Sequence, residues 1–247
     1  MPTVITEGAA SARGFGFGAS RAGSANYIED VFSTYLYTGN GSTQTITNGI
    51  DLSGKGGMVW LKDRSVATDH RVFDTLRYVN STNYYTLRTN TTDAQQLAGL
   101  YPNSTGFVVD TNGPDYNTNN QSYASWTFRK QAKFFDIVTY TGNGVAGRTV
   151  NHNLGSVPGC IIIKEYAANA VQWLVYHSGV GPTGSLCLND ASAADYNIGY
   201  FNNTAPTSTN FTLGGSAYGN QNGQSFVAYL FASNAGGFGA AGTDNVI

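Results

Sequence analysis

Two stretches constrain this chain more than anything else in it. "NTNNQSYASWTF" runs from Asn117 to Phe128, and "NQNGQSFVAYLF" runs from Asn220 to Phe231, 103 residues further on. The match extends upstream. "YTGNG" stands at Tyr37 to Gly41 and again at Tyr140 to Gly144, also 103 apart. "VWLK" (Val59 to Lys62) lies opposite "IIIK" (Ile161 to Lys164) at 102, and "FVVD" (Phe107 to Asp110) opposite "FTLG" (Phe211 to Gly214) at 104. Four blocks in one order, at a nearly constant offset, establish an internal duplication. The period is too long for a solenoid repeat and suits a small domain. The spacing predicts module one over residues 28–135 and module two over 136–233. A Gly-rich arm (1–27) precedes them and a Gly-rich linker (234–247) follows. The join "FRKQAKFFDIVTY" contains no Gly/Pro/Ser linker, so the modules are expected to abut.

Within each module the patterns are those of strands. "YLYTGNG" is a β run ending in a Gly/Asn turn, and those two residues tolerate the positive φ of tight turns. "GMVWLKD" and "GCIIIKEY" are short apolar runs after Gly, as in strands buried on both faces. "RVFDTLRY" and "VQWLVYH" follow as second core strands. "YYTLRTN" and "SLCLND" alternate at period two. Strands every ten to twenty residues, separated by Asn/Gly/Thr loops, predict an all-β chain of two tandem antiparallel β-sandwich modules. Short helical turns are expected at "TDAQQLAGL" (Thr92 to Leu100) and "ASAADYN" (Ala191 to Asn197).

Composition removes several function classes. Only 11% of the 247 residues are charged and the net charge is −2. A basic stripe for phosphate neutralisation is missing, which argues against nucleic-acid binding. No run approaches the roughly 18 apolar residues of a membrane span. The start "MPTVITEGAASARGFGFG" lacks a basic segment followed by an apolar block, and so reads as carrying no secretory signal. The abrupt end on "NVI" reads as a chain that continues beyond Ile247. Cys160 and Cys187 sit in apolar runs and read as buried thiols, a disulfide requiring that their strands pair.

Chemistry is hard to find. His70, His152 and His177 are not spaced for a metal, and neither HExxH nor GxSxG occurs. "GFGFGAS" lacks the flanking strand, helix and Lys of a phosphate loop. No cofactor is expected. A glycosidase would need two acids in one cleft. The candidates are Asp63, Asp74, Asp93, Asp110, Asp115, Glu165, Asp190 and Asp195, but Asp74 reads as an ion-pair partner of Arg71 or Arg77, and Asp110 and Asp115 as turn caps. No catalytic site is assigned. Aromatic rings on loops suit sugars better: a ring face stacks on C–H surfaces while amides bond hydroxyls. Tyr84 and Tyr200 are loop-edge rings; Tyr78, Tyr101, Tyr116, Tyr196 and Tyr218 are the candidates for glycan or receptor contact. In the arm, Phe15 and Phe17 are candidate plugs against a partner subunit.

Together, "YTGNG…GMVWLKDRS…HRVFDTLR…GFVVD…WTFRKQAKFFDIVTYTGNG…NHNLGSVPGCIIIK…WLVYH…LCLND…FTLG…NQNGQSFVAYLFA" resembles repeats in tail-fibre and other virion structural proteins of tailed bacteriophages, especially those of aquatic hosts. The resemblance covers about residues 35–232. Its blocks are specific in combination and weak singly. One departure is "DTLRY", where the family pattern has Arg-Gly after the Leu; Tyr78 stands at the small turn position. The resemblance implies jelly-roll or concanavalin- or laminin-G-like sandwiches and a structural or adhesive role in the virion, at the tail or surface, without enzymatic activity. It implies other phage structural proteins as partners, a homotrimer, and a host surface glycan as receptor. Alternatives are a capsid decoration protein and, in a different class, a polysaccharide-degrading tailspike.

Overall fold

The structure is a computed structural model and describes residues 26–110, 113–167, 171–239 and 242. The protein is mostly antiparallel β-sheet. The first half carries β1 (Phe32–Thr38), β2 (Gln44–Thr47), a one-turn helix α1 (Leu52–Lys55), β3 (Gly57–Asp63), β4 (Arg71–Asn80) and β5 (Asn83–Arg88). It continues with β6 (Gln96–Ala98), β7 (Leu100–Asn103), β8 (Gly106–Val109) and β9 (Ser122–Arg129). The second half carries β10 (Phe135–Thr141), β11 (Arg148–Asn151), β12 (Pro158–Glu165), β13 (Leu174–His177) and β14 (Leu186–Cys187). After a one-turn helix α2 (Ile198–Phe201) come β15 (Asn210–Leu213), a further turn α3 (Ala217–Asn220) and β16 (Ser225–Ala232).

Among the described residues the strands form two large sheets and two small ones. The large sheets run β1-β9-β3-β4-β5-β6 and β10-β16-β12-β13-β14; the small ones run β2-β8-β7 and β11-β15. The order β1-β9-β3-β4-β5 thus recurs strand for strand in the second half. The register recurs too: Tyr37 faces Tyr123 as Tyr140 faces Phe226, and Leu61 faces Ser125 as Ile163 faces Ala228.

The reason lies in the blocks that the sequence repeats. Asn117 is fully buried. Its Oδ1 accepts from Asn40 N (3.1 Å) and Gln44 Nε2 (2.8 Å), while its Nδ2 donates to Ser42 O (2.7 Å) and Asp110 O (2.9 Å). Asn220 does the same: Oδ1 accepts from Asn143 N (3.0 Å), and Nδ2 donates to Val145 O (3.0 Å) and Gly214 O (2.8 Å). Tyr37 Oη donates to Tyr116 O and Tyr140 Oη to Gly219 O, each at 2.7 Å. The Gly in each "YTGNG" allows backbone to meet backbone. A Cβ on Gly39 would stand 2.2 Å from Thr118 O, and one on Gly142 2.1 Å from Gln221 O. A buried polar group must be bonded or it costs stability. These amides tie the turn after the first strand to the loop before the last, so the blocks survive together.

Among the described residues three apolar cores follow. One lies between the sheets of the first half, around Val59, Leu61, Phe73 and Phe107. A second lies between those of the second half, around Ile161, Ile163, Phe211 and Phe226. The third joins the halves: Met58, Val72 and Leu87 of the first large sheet pack with Ile162, Val175, Val227 and Tyr229 of the second. β3 and β12 are therefore covered on both faces, which explains their unbroken apolar runs. Phe238, in the segment read as a linker, is buried in this third core against Phe134.

Some local readings change. Residues 96–98 of "TDAQQLAGL" form the edge strand β6, held by pairing of Thr86 with Gln96 and Tyr84 with Ala98. Residues 191–197 contain no helix; the turn α2 begins at Ile198, capped by Asn197 accepting from Gly199 N at 2.8 Å. Cys160 and Cys187 are free thiols on β12 and β14, both partly buried. No helix among the described residues is long and apolar enough to cross a membrane.

Candidate functional site

The two halves differ where the first carries a buried ion pair, Arg71 with Asp115, that the second does not. In the first half, Arg71 at the start of β4 is buried with 7% of its surface exposed. Its guanidinium pairs with Asp115, Nη2 to Oδ2 at 2.5 Å and Nε to Oδ2 at 2.7 Å. Nη1 also donates to Thr86 Oγ1 (3.1 Å) and Gln96 Oε1 (3.2 Å).

Register fixes the counterparts. Leu61 faces Arg71 and Ile163 faces Leu174, so Leu174 holds the place of Arg71. Asp115 and Tyr218 each precede the buried Asn by two residues. Leu87 pairs with Val72 and Leu186 with Val175, so Thr86 corresponds to Ser185. Gln96 pairs with Thr86 as Asp195 bridges to Ser185. All four second-half residues, Leu174, Tyr218, Ser185 and Asp195, line one cavity of about 190 Å³. With no guanidinium to fill it, the position opens as a pocket.

Local structure sets its walls. Ser216 caps α3 by accepting from Tyr218 N (3.3 Å), which places the Tyr218 ring at the rim, 40% exposed. The ring lies parallel to that of Tyr200, 6.3 Å between centroids at 13°. Tyr200 donates its hydroxyl to Asp195 Oδ2 at 2.5 Å. Burial, and then this carboxylate, push the Tyr200 phenol up to about 12. The floor is held by Asn189, whose Nδ2 donates to Gln172 Oε1 and whose Oδ1 accepts from Trp173 N at 2.9 Å. Cys187 donates its thiol to Asn189 Oδ1 at 3.3 Å, and burial raises its pKa. Asp190 also faces the cavity, accepting from Ser192 N at 3.1 Å.

The structure brings Tyr218 to this pocket and sets Tyr196 close by. Tyr196 is 67% exposed, its ring packed so near Gly184 that a Cβ there would stand 2.9 Å away. Tyr78 lies in the first half, 57% exposed near the β4–β5 hairpin, against Tyr84 at 5.3 Å. Tyr101 on β7 is half-buried against the first core. Tyr116 is a correction: its side chain is a core residue, 7% exposed, its hydroxyl accepting from Gly99 N at 3.3 Å, and it has no loop surface to offer. Phe15 and Phe17 lie outside the described residues.

The acids are largely committed to the fold. Asp74 pairs with Arg77 (2.7 Å), not Arg71; Asp115 is the partner of Arg71 and not a turn cap; Asp93 binds Arg88. Asp190 and Asp195 alone among the eight candidates line the cavity. Among the described residues no group of three or more His, Cys, Asp or Glu is arranged to hold a metal ion. Sequence reading passed over Tyr200 and Asp195 as a pair. The available signal was the exchange of Arg71 and Asp115 for Leu174 and Tyr218 across the repeat.

No curated protein and no solved structure matches the chain. Over residues 28–244, a span that includes both repeats and the cavity, the chain matches the family described as Domain of unknown function (DUF7483), and it belongs to that family.

Proposed function

We propose that the chain is two tandem copies of one jelly-roll- or concanavalin-like β-sandwich, and that it serves as a structural part of a tailed-phage particle. Within the particle it acts as a tail fibre or related appendage that takes part in host adsorption, in contact with other structural proteins and with further copies of itself. The observation that carries this reading is the repeated Tyr–Asn latch. Each half uses one buried Asn to hold its loops, and the same hydrogen bonds recur at Asn117 and Asn220. A low-charge surface with exposed Tyr78, Val79, Leu97, Tyr196 and Ile198 offers contact area and suits the resemblance to fibre repeats. Imaging of particles with the chain labelled tests this. A small multiple of three copies at the tail supports the fibre. Hundreds of copies on the head favour a decoration protein, and absence from purified particles rejects both.

A second reading has one observation of its own: Asp190 and Asp195 share a cavity, as the acids of a polysaccharide-cleaving tailspike would. Both already accept hydrogen bonds from the chain, and the cavity of about 190 Å³ leaves little room for a glycan chain. Release of reducing ends from host polysaccharide, abolished by Asp195→Asn, would establish that reading instead.

A further inference from the structure

We infer that the cavity of the second repeat binds a guanidinium group, the side chain of an arginine presented by a protein partner. The first repeat supplies the template. There the same position holds a guanidinium of the chain's own, Arg71, with one carboxylate (Asp115), one hydroxyl (Thr86) and one amide oxygen (Gln96) around it. The second repeat has a hydroxyl and a carboxylate at these positions and lacks the cation. Ser185 retains the hydroxyl of Thr86. The carboxylate moves from the place of Asp115 to that of Gln96, where Asp195 now stands.

Tyr218 takes the place of Asp115. Its ring and that of Tyr200 form a parallel pair beside Asp195. Aromatic faces attract guanidinium ions, so a ring can replace part of the attraction that the lost carboxylate gave. Leu174 supplies an apolar wall where the aliphatic stem of Arg71 runs in the other copy. Among the described residues no Lys or Arg lines the cavity, and Asp190 adds a second negative charge. An anionic ligand is therefore disfavoured, and a planar donor satisfies what is there.

Size agrees. About 190 Å³ falls below the roughly 300–1,000 Å³ of pockets for drug-sized ligands. It suits one side chain more than an oligosaccharide. The inference stands apart from the virion reading, because it is tested on the isolated chain.

The probe is N-acetyl-arginine amide, titrated into the full chain and followed by amide and aromatic NMR shifts. N-acetyl-lysine amide and glucose are the comparison ligands. Saturable shifts at Tyr200, Tyr218 and Cys187 are expected with the arginine probe, weaker ones with lysine and none with glucose. Asp195→Asn should weaken binding about tenfold, the size of a lost charge-assisted bond. The double variant L174R/Y218D rebuilds the internal pair of the first repeat and should abolish binding with the spectrum still dispersed. If that variant does not fold, Tyr218→Ala at the exposed rim replaces it, with weakened binding expected. Absence of saturable binding, binding that survives these substitutions, or glucose binding at the same residues overturns the inference.

Discussion

Phe128 and Phe231 hold the same position in the two repeats, and they touch: their ring centroids lie 5.4 Å apart at 85°. Each also meets the first-strand Phe of its own repeat in the same way, Phe32–Phe128 at 4.9 Å and 49°, Phe135–Phe231 at 5.0 Å and 50°. Equivalent residues meet each other where two copies are related by a two-fold axis, as in an isologous dimer. The two large sheets thus join as a dimer would, within one chain. Edge-to-face pairs are worth about 0.5–1.5 kcal/mol beyond burial. Phe128→Ala and Phe231→Ala should each cost about 3 kcal/mol, the low end for Phe truncation since both rings are only partly buried. A double-mutant cycle by urea denaturation should show coupling; strictly additive costs would mean the pair does not hold the halves together.

Asn117 and Asn220 should tolerate replacement poorly. Replacing Asn117 by Ala removes four hydrogen bonds of a fully buried side chain, to Asn40 N, Gln44 Nε2 and the carbonyls of Ser42 and Asp110, each worth about 1 kcal/mol. A loss of at least about 3 kcal/mol is expected at either position, measured by thermal or urea unfolding. Asp in place of Asn is isosteric but cannot donate, so it should fare no better than Ala. Tolerance of Asp at both sites would show that the two donated bonds are dispensable.

These residues also explain what could be read from the sequence. Tyr37, Gly39 and Asn117 recur as Tyr140, Gly142 and Asn220 because no other side chain makes the same bonds in the same space. A repeated requirement leaves a repeated letter. The pocket left no such mark: Leu174 stands where the first repeat has Arg71, and Leu in a strand looks like any core residue. Tyr116 misled for a related reason. It lies in a polar loop, yet its ring turns inward to fill space that Gly219 leaves unfilled by any side chain of its own in the second copy. Contacts between the halves, such as Arg77 to Tyr229, join residues 152 apart and follow no local pattern.

That contact is the polar part of the joint. Asp74 is fully buried between the halves, where its Oδ2 accepts from Arg77 Nε (2.7 Å) and Tyr229 Oη (2.7 Å). Arg77 reaches the site because the strand is irregular between Phe73 and Tyr78, with Asp74 Oδ1 accepting from Leu76 N and Arg77 N. Tyr229→Phe removes one neutral donor and should cost about 1–2 kcal/mol. Asp74→Ala strands a buried guanidinium and should cost about 3–5 kcal/mol. Equal, small losses in urea titrations of the two variants would mean that water enters the joint.

Lys164 should give the chain an alkaline rise in stability. It is fully buried at the end of β12, its Nζ donating to Glu165 O at 2.6 Å and to Thr92 O at 3.4 Å across the joint. Burial pulls its pKa down to about 8; Glu165 and Asp93 oppose that shift and Arg77 adds to it. In the unfolded chain a lysine titrates near about 10.4. Between these two values the unfolded chain binds more protons than the folded one, so unfolding free energy climbs as pH rises from about 8 to about 10.4. Below about 8 both states are charged and the contribution is flat at its lower level. Lys164→Met removes the titrating group while keeping most of the length of the side chain. Other groups that titrate in this window, the tyrosines among them, are common to both proteins and cancel in the difference. The stability of the variant relative to the parent should therefore stay level from pH 7 to about 8 and fall from there as urea titrations move to pH 10. A difference that stays constant over that range would mean the ammonium is solvated in the folded protein.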